Sequence, residues 1–262
     1  MNGVKTMMAA LAAAVLSLQA AQVPKKMNIL CVCAHPDDAE ISCGGTLLKY
    51  AKQGHNIYIA LTTSGNTGSN TLTDIKEIER VREAEMLASA KIYNAKVRFL
   101  RNDDERLLDT NETRTQVLDA LRWADPDVVF THNPDDESPD HWMTSHLVRA
   151  MILSMPGRNQ QSHEKPCLKK CSVFMWGKSK GLGFVPEAYV DVTDEMDEVC
   201  RACNLHESQK AWLQFVHGNK PDLSISKRIV ARFFGNQVGC EYAEGFVGLR
   251  LNGYMPNFRL LP

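Results

Sequence analysis

The chain has 262 residues, 44% of them hydrophobic and 23% charged, with a formal net charge of -1. This is the composition of a globular protein able to bury one substantial core. With no basic stripe or Lys/Arg-rich run, neither nucleic acid nor an anionic membrane surface is an expected partner, and a small, roughly neutral substrate fits better.

Lys5 precedes an apolar run over residues 7–18, and the small residues Ala20 and Ala21 follow before a polar stretch at 22–26. This is the layout of a signal peptide over residues 1–21, although Leu18 and Gln19 stand where small residues are preferred. The run is too short to cross a bilayer, so no stable membrane insertion is expected. Export would place the protein in a secreted or periplasmic setting, whereas an uncleaved extension would leave it cytoplasmic. The fold is expected to begin at Met27 and to continue as a single domain over residues 27–262.

Residues 28–34 (NILCVCA) form a short apolar run, the pattern of a strand buried on both faces. Helix signals follow at 45–53, and 55–62 returns to a β pattern. A charged amphipathic helix is expected over 73–90, with Thr73 or Asp74 as its N-cap. Residues 96–100 pattern as a strand and 112–124 as a helix. Pro126 introduces a second buried strand at 127–131 (DVVFT), and a helix follows over 141–153. Strands alternating with helices at this spacing imply an α/β, Rossmann-like three-layer fold with a mostly parallel sheet. No G-x-G-x-x-G follows the first strand, so the nucleotide-binding fingerprint is missing. Beyond Pro156, strands are expected at 172–176 and 188–192 and a helix over 193–215. The tail from Gly235 has no clear period.

The eight cysteines leave alternatives open. Cys31, Cys33 and Cys43 fall in or beside the first strand, where buried reduced thiols are usual. Cys167/Cys171 and Cys200/Cys203 could be bridges, incidental pairs, or a second metal site.

Chemistry concentrates where strands end, the edge at which open α/β sheets bind ligands. Directly after the first strand come His35, Asp37, Asp38 and Glu40. Desolvated carboxylates need a cation or hydrogen bonds, and His35 with Asp38 offers nitrogen and oxygen ligands suited to Zn²⁺. Asp37 lies between them and could face a water as general base. The second cluster, Ser138-Pro139-Asp140-His141, follows the strand ending at Thr131. His141 would complete a His-Asp-His set with an open fourth position. Alternatively, Asp140 is a helix N-cap and His141 a surface residue. His146, five residues on, lies roughly 140° further round the helix and is not read as a ligand.

His35-Pro36-Asp37-Asp38-Ala39-Glu40, followed by Gly44-Gly45-Thr46, resembles the signature of the PIG-L/LmbE-like zinc-dependent deacetylases. That family includes N-acetylglucosaminyl-phosphatidylinositol deacetylases and sugar deacetylases of low-molecular-weight thiol biosynthesis. Further landmarks keep the family's order: Thr63-Ser64-Gly65, Arg82 with Glu85, the Pro-Asp-His segment, His206-Glu207-Ser208-Gln209, and Tyr242-Ala243-Glu244-Gly245-Phe246. The resemblance implies an LmbE-like fold, a small N-acetylated sugar as substrate, and His35, Asp38 and His141 as ligands of Zn²⁺. Fe²⁺ is also accommodated by nitrogen and oxygen ligands. It further implies Asp37 as general base and His206 as a late active-site histidine. Arg82 resembles an arginine that contacts substrate or supports the site, although a solvated helix charge is the plain alternative. Family members are often oligomeric, which extends the expectation of a homo-oligomer to this chain.

One departure stands out. Most bacterial members have His-Pro-Asp-His at the second cluster, where the first histidine helps stabilise the tetrahedral intermediate and the aspartate orients it. Here that first position is Ser138, which could still touch substrate but cannot become cationic. Asp140 is expected to lose its usual partner. The competing readings are a related zinc amidase acting on a larger N-acyl conjugate, and a zinc- or sugar-binding protein without catalysis. Ser138 favours the second of these; the intact Asp37 opposes it.

Overall fold

The computed structural model describes residues 26–178, 181–217 and 223–262. The export signal expected over residues 1–21 lies outside them. β1 (Asn28–Cys33) is buried along almost its whole length, because both of its neighbours are strands and both of its faces are covered. It pairs in parallel with β2 (Asn56–Thr63) on one side and β4 (Val128–His132) on the other. β3 (Lys96–Asn102), β5 (Ser172–Trp176), β6 (Ala188–Asp191) and β7 (Ala243–Gly248) complete a seven-stranded sheet in the order β3-β2-β1-β4-β5-β7-β6. Only β7 runs against the rest, pairing antiparallel with both β5 and β6.

Alternation along the strands divides the core into two layers. Ile29, Cys31, Cys33, Ile59 and Phe130 face one cluster, Leu30, Val32, Ala60 and Val129 the other. The first layer packs under α1 (Asp38–Lys52), α2 (Ile75–Ala90), α5 (Met196–Asn204) and α7 (Leu223–Val238). The second packs under α3 (Asn111–Ala124) and α4 (Pro139–Met151). This is the expected three-layer α/β arrangement.

Local signals account for two of the helix starts. Asp74 caps α2 by accepting the Lys76 amide at 2.9 Å. Thr110 and Thr113 form a reciprocal capping box on α3. Three features depart from expectation. The helix expected from Gly45 starts seven residues earlier, at Asp38, and Cys43, with non-helical angles (φ -133°, ψ 18°), divides α1 into two pieces. The helix expected over 193–215 breaks at Leu205-His206 into α5 and α6 (Glu207–His217). The tail without period holds the end of α7 and the buried strand β7. All eight cysteines are described and none is in a disulfide. No helix among the described residues is long and apolar enough to cross a membrane.

The chain leaves β1 towards β2 and β3, then returns to place β4 on the other side of β1. The crevice between the carboxyl ends of β1 and β4 is therefore a topological switch point.

Candidate active site

Every segment at that crevice carries polar side chains. The β1–α1 turn supplies His35, Asp37 and Asp38, the end of β4 supplies His132, and the first turn of α4 supplies Asp140 and His141. Asp37 stands at the N-cap of α1 with φ 116° and ψ -25°, a left-handed conformation that strains a residue with a Cβ. Arg82 holds the turn in place. Its Nη2 donates to Pro36 O at 2.6 Å and lies 3.4 Å from Asp37 Oδ2, while Nη1 donates to Gly65 O at 2.9 Å. Gly65 (φ 61°) permits this approach, since a Cβ there would stand 2.1 Å from Arg82 Nη1.

Three donor groups converge beside the turn. His35 Nδ1 and His141 Nε2 are 3.2 Å apart, His141 Nε2 and Asp38 Oδ1 are 3.3 Å apart, and His35 Nδ1 and Asp38 Oδ2 are 3.5 Å apart. A tetrahedron drawn around Zn²⁺ at ~2.1 Å from its ligands has edges of ~3.4 Å. The spacing therefore fits such a cation.

The outer partners fit it as well. His35 Nε2 faces Asp104 Oδ1 at 2.8 Å and Asp140 Oδ2 at 3.3 Å, so on binding a cation the ring would keep its proton there and turn the Nδ1 lone pair into the cluster. His141 Nδ1 faces Asp136 Oδ1 at 3.1 Å, which would likewise leave the Nε2 lone pair for a bound cation at the same place. Carboxylates that fix the tautomer of a histidine ligand in this way are typical of metal centres.

Charge favours a cation at the same point. Asp38, Asp104, Asp136 and Asp140 gather around three imidazoles. Burial by itself would push His35 and His141 down, but the carboxylates of Asp104, Asp140 and Asp38 hold His35 well above the usual range. Asp38 and Asp136 hold His141 up at about 9. Burial would raise Asp38, yet the flanking His141 and His132 hold it well below the usual carboxylate value. Asp37 is the exception among the carboxylates. Burial raises it to about 6 against the opposing charge of Arg82.

The predicted site residues fall into two groups. His35, Asp38 and His141 meet in one cluster with Asp37 beside them. Arg82 is only 3% exposed and acts on the turn from behind. With Ser138 in place of a histidine, Asp140 has other partners: its carboxylate accepts the amides of Glu105 at 2.6 Å and Leu107 at 3.2 Å and faces His35. It thereby joins the β3–α3 loop to His35. Ser138 is the N-cap of α4, half-buried, with no capping bond from its side chain. His206 is fully buried at the α5–α6 break, with Nε2 3.6 Å from Glu40 Oε2. Burial would lower its pKa, but Glu40 and then Asp37 hold it above the ordinary range, so it lies within electrostatic reach of the Asp37 carboxylate.

Sequence reasoning missed His132, Asp104 and Asp136. His132 is buried against the cluster, its Nε2 accepting the Ala34 amide at 3.0 Å and lying 3.3 Å from Asp38 Oδ2. Burial and the neighbouring His141 push it down to about 4, so the ring is neutral. Asp104 and Asp136 anchor His35 and His141. The signal was present. All three lie at or within four residues of a strand's carboxyl end, the edge already singled out for ligand binding.

The fold and the site have relatives. A family profile described as PIG-L, GlcNAc-PI de-N-acetylase, matches residues 30–152. A diacetylchitobiose deacetylase of Thermococcus kodakarensis is 27% identical over 239 residues, covering 83% of this chain and 81% of the relative. An uncharacterized deacetylase of Escherichia coli K12, YaiS, is 39% identical over 178 residues, 65% of this chain and 85% of the relative. The chain belongs to the PIG-L family. Among solved structures, the N,N'-diacetylchitobiose deacetylase of Pyrococcus horikoshii superposes with a TM-score of 0.74 at 25% identity, covering 94% of this chain and 96% of that one. The switch-point crevice of this PIG-L family chain lies within the part that the profile matches, from the end of β1 to α4.

Proposed function

We propose that this protein is a metal-dependent N-deacetylase that removes the acetyl group from an N-acetylated amino sugar and releases acetate. The observation that carries this reading is the convergence of His35 Nδ1, Asp38 and His141 Nε2 on one point, with the buried carboxylate of Asp37 beside it. The deacetylase relatives support the reaction class.

His35, Asp38 and His141 would hold Zn²⁺ or Fe²⁺, which when bound supplies Lewis-acid polarisation of the amide carbonyl and lowers the pKa of water. The chain's own residues do the rest. Asp37 takes a proton on its carboxylate as water adds to the amide carbon and passes it to the departing amine nitrogen. Arg82 holds that carboxylate in its strained position. Asp104, Asp140 and Asp136 keep the histidine tautomers correct. Ser138 Oγ, uncommitted as a cap, offers a hydrogen bond to the substrate but no positive charge.

The test is acetate release from a panel of N-acetylglucosamine derivatives by zinc-loaded protein, beside Asp37→Asn. We expect the substitution to lower turnover by about 10²–10⁴-fold with zinc binding kept, the range for losing a general base. Wild-type turnover in Asp37→Asn would sink the assignment. Release only from longer N-acyl conjugates would favour an amidase, and zinc binding with no release from any substrate would favour a non-catalytic binder. We also propose that residues 1–21 direct export; finding residue 1 still present on protein recovered outside the cytoplasm would count against cleavage.

A further inference from the structure

His132 was not among the residues marked by sequence, and its surroundings are unusual. It ends β4, is 1% exposed, and contacts both ligand-bearing segments, the β1–α1 turn and α4. Its Nε2 accepts the Ala34 amide at 3.0 Å, which ties down the residue before His35 beyond the last β1–β4 pair, Val32 with Thr131. The same atom lies 3.3 Å from Asp38 Oδ2. The ring stacks on His141 with centroids 4.1 Å apart and planes at 23°. Trp176, at the end of β5, packs against it with ring centroids 4.8 Å apart and planes at 66°.

The opposite nitrogen, Nδ1, is buried without a partner. An unpaired buried donor is unfavourable, so its presence requires a reason. Because the Ala34 amide takes the Nε2 lone pair, the proton resides on Nδ1 and His132 has no lone pair left for a cation. It is therefore a poor ligand itself, despite lying in a His132-Asp136-His141 grouping. Only an aromatic ring with an acceptor in its plane can both stack on His141 and receive the Ala34 amide. A phenylalanine would do the first and a glutamine the second.

We propose that His132 is a positioning residue of the metal centre, aligning His35, Asp38 and His141 so that a divalent cation is held tightly. The proposal rests on the metal site of the proposed function. Outer partners of metal ligands typically change affinity by about 10–100-fold when removed.

The experiment is a zinc titration against a chromophoric chelator for the full-length parent, His132→Leu, His132→Phe and His132→Gln, with the visible spectrum of the Co²⁺-loaded proteins recorded alongside. His132→Leu loses both functions and should bind zinc about 10–100-fold more weakly, with an altered Co²⁺ spectrum. His132→Phe and His132→Gln each keep one function and should fall between it and the parent. A residue that served stability alone would lower the unfolding midpoint and leave both the zinc affinity of the folded protein and the Co²⁺ spectrum unchanged. That result would overturn the proposal. Should His132→Leu fail to fold, parent-like zinc affinity in both other variants would overturn it equally. A parent protein that binds no zinc would overturn the metal site and the role of His132 together; a zinc-binding parent with unaffected variants would overturn the role of His132 alone.

Discussion

The two halves of the chain contribute differently to one site. From β1 to α4, the first half supplies every member of the donor cluster and its partners: His35, Asp38, Asp104, His132, Asp136, Asp140 and His141. The second half, from β5 onward, supplies buried polar groups that grip the elements carrying those residues. Glu244 accepts the Gly45 and Thr46 amides at 2.8 Å each, the Thr46 hydroxyl at 2.6 Å, and the Lys227 ammonium. It thereby caps the second piece of α1, whose amides are released by the break at Cys43. Ser208 donates its amide and hydroxyl to Glu85 at 2.8 and 2.7 Å, and Gln209 Nε2 donates to Gly68 O at 3.1 Å. The difference separates chemistry from rigidity. Groups that would meet a cation and substrate lie along the crevice, and groups that fix the crevice are buried behind it.

Breaking the cluster should have the largest effect. His141→Ala or Asp38→Asn should abolish both bound zinc, measured by metal analysis, and acetate release, and the chelator-stripped parent should match them until zinc is restored. Loss of an outer partner should be milder. Asp104→Asn is expected to weaken zinc by about 10–100-fold, because His35 keeps only Asp140 to fix its tautomer. Ser138→His tests the departure from the family pattern. Removing an oxyanion donor typically costs about 10²–10³ in rate, and restoring one here should raise kcat by at least about tenfold, read from steady-state acetate release. The smallest effect on chemistry should come from the second half. Glu244→Gln removes one partner of an ion pair only 2% exposed on both sides. It should lower stability by about 3–5 kcal/mol, seen in a denaturant melt, while the zinc affinity of the folded protein changes by less than about threefold. A large loss of zinc affinity in that variant would erase the division between the halves.

The parallel part of the fold was legible because buried strands alternate with amphipathic helices at regular intervals. The His35–Glu40 cluster was legible because polar residues directly after an apolar strand conflict with burial unless something pairs with them. Asp104 and Asp136 were harder to find. Each stands in an acidic loop (Asn102-Asp103-Asp104-Glu105 and Asp135-Asp136-Glu137) whose composition also suits a solvated turn. His132 was harder still, since a single histidine at the end of an apolar strand carries no pattern. The contacts of Asp140 were not legible for a related reason: its partners, Glu105 and Leu107, come from a loop more than 30 residues away.

Local sequence by itself determined the strand and helix alternation, the cap at Asp74, and which short segments were rich in ligand-type side chains. These properties depend on neighbours within one or two turns, so they survive without knowledge of the fold. Only the tertiary structure decided the break in α1, the antiparallel β7, the outer carboxylates and the placement of His132 between His141 and Trp176. Each of those depends on groups far apart in the chain being desolvated together. In that setting a backbone amide, a carboxylate or an imidazole must take whichever partner the packing brings within reach.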